Sequence, residues 1–224
     1  MQHRCIEAKA EAALVTVLAG ERLPCRCARA IGRCAHAIFV QRANCRSLVT
    51  SAAAFAIIAH VELGVFGPQF ESAFGAKPID LNIGRTYPPL IFEYIRGYGA
   101  AGRGVYLSGF VPLDTLFPLL GGVFLALCIG WLSKHCKQSA ADWRLIAVPL
   151  ASCALDWTEN VFFVTIVLAH PMECGSFAWM GYGVSLSKLG TLAASFAIVL
   201  WLVLLALIRP NLQSPWRADQ VVGK

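Results

Sequence analysis

At 224 residues the chain is 57% hydrophobic and only 14% charged. Soluble domains carry about a quarter charged residues, so this composition excludes an ordinary water-soluble domain and places the chain in the membrane class. The net charge of +6 is gathered unevenly, and its distribution sets the orientation argued below.

The chain opens with a basic, Cys-rich segment, residues 1–46. It carries Arg4, Lys9, Arg22, Arg26, Arg29, Arg33, Arg42 and Arg46 against Glu7, Glu11 and Glu21. A basic stretch beside a span reads as cytoplasmic and near anionic headgroups. It lacks any nucleic-acid-binding motif, so nucleic acid is not an expected partner. The apolar run at 12–18 is too short to span, and no cleavage site makes it a signal peptide. The arm has no clean periodicity. It is expected to be disordered, or to lie outside the native chain if translation starts downstream.

Four apolar runs follow, at about 48–66, 107–132, 145–169 and 183–208. Each is long enough to cross some 30 Å of hydrocarbon as a helix. Backbone groups in hydrocarbon must be satisfied internally, so the runs are helices rather than open strands. The expected fold is all-α: a four-helix transmembrane bundle over 47–208, followed by a cytoplasmic tail at 209–224. The first span is the weakest, because His60 and Glu62 lie near its end and are read as interfacial.

The first loop, about 67–106, contains a further helix. Pro88 and Pro89 suit a helical first turn. Leu90, Ile91, Tyr94, Ile95 and Tyr98 then recur at helical spacing. A short amphipathic helix on the membrane or over the bundle follows from this pattern. Gly97, Gly99, Gly102 and Gly104 are expected to form a flexible turn into the second span.

Loop charge gives the topology. Lys134, Lys137 and Arg144 lie between spans two and three, and Arg209, Arg217 and Lys224 follow span four. The loop between spans three and four has no Lys or Arg. Both termini are therefore expected inside, with the protein multi-pass in the cell (inner) membrane and the amphipathic helix extracytoplasmic.

Nine cysteines form no Cys-x-x-Cys pair, which removes support for a thioredoxin-like dithiol. Cys25, Cys27, Cys34 and His36 fit no standard zinc spacing. His170 reads as a loop-end residue. No metal or cofactor is expected.

The charged residues within the spans need an explanation, since they are costly in hydrocarbon and normally face the bundle interior. Asp114 lies in span two, Asp156 and Glu159 in span three, and Lys188 in span four. With this topology all four fall between the outer interface and the bilayer centre. Asp156, Glu159 and Asn160 share a helix face, as do Ser185 and Lys188. Pro118 has no N–H, so it strips the Asp114 carbonyl of its helical partner. One polar cluster is expected: Asp114, Asp156, Glu159, Asn160 and Lys188, with Arg103 just outside as a second cation. Three carboxylates against one lysine in a low-dielectric site cannot all be ionised.

Gly99-x-x-Gly102-Arg103-x-x-Tyr106, Asp114-x-x-Phe117-Pro118 and Asp156-x-x-Glu159-Asn160 occur in that order. The set resembles a family of small four-span bacterial membrane proteins. The resemblance covers about 50–208. It implies the topology and singles out Arg103, Tyr106 and Pro118 as accessory to the cluster, and it carries no activity with it.

Three functions fit these residues. The cluster is structural or accessory, holding helices together. Or it couples proton or ion movement in a small transporter, which would need a homodimer, with Gly190 and Ala194 as a candidate face. Or it performs acid–base catalysis on a lipid. The last requires an apolar cavity, open to lipid, beside Asp156 and Glu159.

Overall fold

The computed structural model describes residues 36–81, 87–135 and 143–212. Most of the basic arm, through residue 35, and the tail after Leu212 lie outside the described residues.

All the regular structure among the described residues is helical, and four helices are long and apolar enough to cross a membrane. We label the spanning helices α1 (Cys45–Phe74), α3 (Gly99–His135), α4 (Trp143–Ala169) and α5 (Gly175–Leu212). The short helix α2 (Pro88–Gly97) sits in the first loop. The four spans and the amphipathic loop helix expected from the sequence are thus present.

Asn44 starts α1 with a capping box. Its side chain accepts from the Ser47 amide at 2.9 Å, and the Ser47 hydroxyl accepts from the Asn44 amide at 3.0 Å. Two orphan helix donors are satisfied reciprocally. The helix does not stop near Phe66, as the hydropathy suggests. It passes through a π-helical segment, His60–Phe66, and runs on to Phe74. Gly75 ends it in the left-handed region at φ +75, where a side chain would be strained.

Pro88 and Pro89 open α2. Ile91 and Ile95, one turn apart, are buried beneath it. The glycine-rich stretch after α2 is not the expected flexible turn. Gly99, at φ +63, makes the single break, and Gly99–Val105 is already helical. Packing overrides glycine's weak helix propensity here. A Cβ on Gly102 would lie 2.9 Å from both Phe74 and Tyr98, so only glycine lets these helices approach so closely.

The last part of the basic arm is also folded. His36–Gln41 forms a short π-helical turn lying on α3. A Cβ on Gly130 would come within 2.3 Å of the Phe39 carbonyl oxygen, so the backbones nearly touch. Lys134 Nζ donates to the carbonyls of Gln41 and Ala43, at 3.1 and 2.9 Å.

The bundle is a row with a fold in it. Helix α5 packs along α4, α4 packs along α3, and α3 also touches α5. Helix α1 packs mainly on α3 and scarcely meets α4 or α5. Two apolar cores result. One, at the α2 end, gathers Ile79, Ile91, Ile95, Tyr106, Phe110, Phe163 and Ile166. The other joins Val40, Ala126, Ile129, Leu132, Ile146 and Leu202. Side-chain packing rather than water exclusion holds such cores in a bilayer.

Candidate intramembrane site

Buried polar residues converge on a cavity walled by all four spanning helices. Helix α4 contributes Asp156, Glu159 and Asn160, buried along one face by their i, i+3, i+4 spacing. From α5, Lys188 Nζ lies 2.5 Å from Asp156 Oδ1 and also pairs with a Glu159 oxygen. The Ser185 hydroxyl donates to the other Glu159 oxygen. One lysine and one serine on α5 therefore clamp two carboxylates on α4. A closely paired, hydrogen-bonded arrangement is what allows charge to persist in a low-dielectric interior.

Asp114 on α3 faces the same space. Its backbone carbonyl, deprived of a partner by Pro118, accepts the Asn160 amide at 3.5 Å. The neighbouring Thr115 carbonyl accepts the Trp157 indole N–H at 3.0 Å. The weak point that proline makes in α3 is thus covered by donors from α4.

Two members of the site escape the sequence reading. Glu62 is not interfacial: it is 1% exposed and lines the same cavity as Asp114. The π-helical segment of α1 carries Glu62, and a second one, Tyr106–Phe110, carries Tyr106. Insertions of this kind inside α-helices are frequent at functional sites.

The second is Asp80, in the loop after α1. It is 5% exposed, and Tyr106 donates its hydroxyl to Asp80 Oδ2 at 2.7 Å. Burial pushes the Asp80 carboxyl well above the usual carboxylate range. The charges of Asp114 and Glu159 push the same way, against the smaller opposing effects of the Tyr106 hydrogen bond and the Lys188 charge.

Arg103 does not join. Its guanidinium donates to the Ile95 carbonyl at 3.3 Å, bracing α2 against the start of α3. The expected second cation is therefore spent on a backbone oxygen that the end of α2 leaves free. Tyr106 and Pro118 do belong, the first through Asp80 and the second in the cavity wall.

The cavity has a volume of about 350 Å³. Ligand pockets typically hold about 300–1,000 Å³ with mostly apolar walls and a few placed polar groups, and this one fits that description. Its acidic wall is Glu62, Asp80, Asp114 and Asp156, beside Lys188. Its apolar wall includes Phe55 and Leu63 of α1 and Leu192 and Phe196 of α5. Leu63 and Phe196 are 47% and 57% exposed, and α1 and α5 scarcely touch. The space is thus bordered by lipid-facing residues at the gap between these helices.

All three motif segments of the sequence reach this cavity or the polar network behind it, through Tyr106, Asp114, Phe117, Pro118, Asp156, Glu159 and Asn160. No protein family, curated protein or solved structure matches the chain.

Proposed function

We propose that the protein is a membrane-embedded acid–base enzyme acting on a lipid that enters sideways between α1 and α5. The observation that carries this reading is the lipid-bordered apolar cavity ending on two buried carboxyl groups, those of Glu62 and Asp114. Two carboxyl groups facing one low-dielectric space offer a general acid and a general base side by side. Asp80, held by Tyr106, supplies a third carboxyl on the same wall.

The polar residues divide by role. The Lys188, Asp156, Glu159 and Ser185 clamp fastens α5 to α4 and serves structure, which is the accessory role the sequence allowed for the whole cluster. Among the described residues Glu62, Asp80 and Asp114 have no such cation, and they face the cavity. A purely structural site would have no use for the space between them.

The orientation we favour puts both termini in the cytoplasm of a bacterial inner membrane, with α2 outside. Lys134 and Arg144 flank the loop opposite α2, and the loop after α4 has no Lys or Arg. Cys174 lies in that loop. A membrane-impermeant maleimide added to intact cells should label Cys174, and labelling only after lysis would reverse the topology.

Deuterium uptake tests the enzyme reading without knowledge of the substrate. Removing a proton from a lipid carbon and returning one from solvent exchanges hydrogen for deuterium in deuterium oxide. Protein in nanodiscs holding a total bacterial lipid extract should make one lipid class heavier by mass spectrometry. Glu62→Gln and Asp114→Asn should abolish that gain. If no lipid gains deuterium with the wild-type protein, the acid–base reading falls and the structural one stands.

A further inference from the structure

We infer that the molecule taken into this cavity is an amphiphile with a cationic, N–H-bearing head, such as a long-chain amine, its tail lying along α1 and α5. The inference rests on the proposed ligand-binding role of the cavity and names the ligand class.

The argument begins with charge. Five carboxyl groups meet in or beside the cavity, those of Glu62, Asp80, Asp114, Asp156 and Glu159, against Lys188 as the one cation there among the described residues. Lys188 is fully engaged by Asp156 and Glu159. Glu62 and Asp114 line the same cavity, and among the described residues no cation pairs with either. Among the described residues no further cation faces these carboxyl groups, since Arg103 is turned onto Ile95, and an incoming positive charge would let Asp80, which burial otherwise keeps protonated, ionise.

Unmet hydrogen bonds point the same way. Among the described residues Asp80 Oδ1 and Asp156 Oδ2 are buried with no hydrogen-bond partner, and both residues are 5% exposed and line the cavity. Buried acceptors without donors are costly. An incoming group that supplies donors and positive charge satisfies both deficits at once. A carboxylate or phosphate head would add acceptors where donors are missing. A hydroxyl supplies a donor but no charge.

The wall chemistry separates an organic cation from an inorganic one. Among the described residues no three His, Cys, Asp or Glu side chains are placed to hold a metal ion. Phe55, Leu192 and Phe196 instead extend the cavity towards lipid. An ammonium group on an alkyl chain fits both ends, since buried charge-assisted hydrogen bonds are the strong ones and the tail never leaves an apolar phase.

The experiment compares head groups at constant tail. Dodecylamine, dodecanol and dodecanoate, each radiolabelled, are titrated onto the full chain in zwitterionic nanodiscs, with empty nanodiscs subtracted to remove simple partitioning. The amine should bind roughly tenfold or more tightly than the alcohol, the gain of one charge-assisted hydrogen bond, and the carboxylate should bind least. Asp80→Asn should bring the amine close to the alcohol. Leu192→Trp, which fills the apolar part, should weaken every ligand and covers the case in which Asp80→Asn fails to fold. Equal binding of amine and alcohol, both sensitive to Leu192→Trp, overturns the cationic assignment while leaving the cavity a ligand site. Binding of all three that Leu192→Trp does not change overturns the cavity as a ligand site as well.

Discussion

The Asn160 amide donates to the Asp114 backbone carbonyl at 3.5 Å, the carbonyl that Pro118 leaves without a helical partner. A defect in α3 and a donor on α4 are thus matched across the bundle. The match is testable as a coupling. Asn160→Ala should lower stability by about 1–3 kcal/mol, the cost of a buried acceptor left unmet. Pro118→Ala restores an amide within α3, so in that background Asn160→Ala should cost clearly less. A double-mutant cycle on unfolding in mixed micelles measures the difference, and strictly additive effects would mean the two residues are independent.

The Lys188 clamp should behave as a buried ion pair does. Lys188→Met strands Asp156 and Glu159, and removing one partner of a buried pair typically costs about 3–5 kcal/mol. Adding Asp156→Asn and Glu159→Gln should recover much of that loss, because no unpaired charge then remains. Folded protein recovered in mild detergent, or unfolding midpoints, would report this. Failure of the triple variant to recover would show that packing of the lysine stem matters more than its charge.

How far the sequence revealed this arrangement differs residue by residue. Asp114, Asp156, Glu159, Asn160 and Lys188 stand out because each breaks a long apolar run, and helical spacing puts the α4 residues on one face. The loop helix was legible from Pro88 and Pro89 and the apolar spacing after them. Glu62 was not: apolar character fades near Phe66, so the residue looked terminal. The helix in fact continues to Phe74, and a π-helical segment shifts the face that Glu62 presents. Asp80 lies in a loop, where no periodicity marks an inward side chain. Its one signal is its place between apolar neighbours, Pro78-Ile79-Asp80-Leu81. Arg103 misled because sequence distance shows that a charge is near a cluster but not which acceptor reaches it first.

Gly130 should be intolerant of any side chain. A Cβ there would stand 2.3 Å from the Phe39 carbonyl oxygen, against backbone that cannot rotate away. Gly130→Ala should lift residues 36–44 from α3 and break the Lys134 hydrogen bonds to Gln41 and Ala43. Trypsin added to detergent-solubilised protein should then cut at Arg42 several times faster than in the wild type. Because the lifted segment takes Val40 out of the second core and Asn44 out of the α1 cap, the unfolding midpoint of the bundle should fall as well.

Asp80 gives the stability a pH dependence of known sign. Burial raises its carboxyl above the ordinary range, so the folded protein holds this proton more tightly than the unfolded chain does. Its contribution is fully present below the unfolded value, about 3.9, and is lost as pH rises through the folded value. Wild-type stability should therefore decline across that window relative to Asp80→Asn, which has nothing to titrate at this position. Tyr106→Phe removes the hydrogen bond that favours the charged form. It should move the end of the window to higher pH and deepen the loss. Unfolding midpoints of the three proteins between pH 4 and pH 9 would decide it. Parallel curves for wild type and Asp80→Asn would mean that Asp80 ionises in the folded protein as easily as in the unfolded chain.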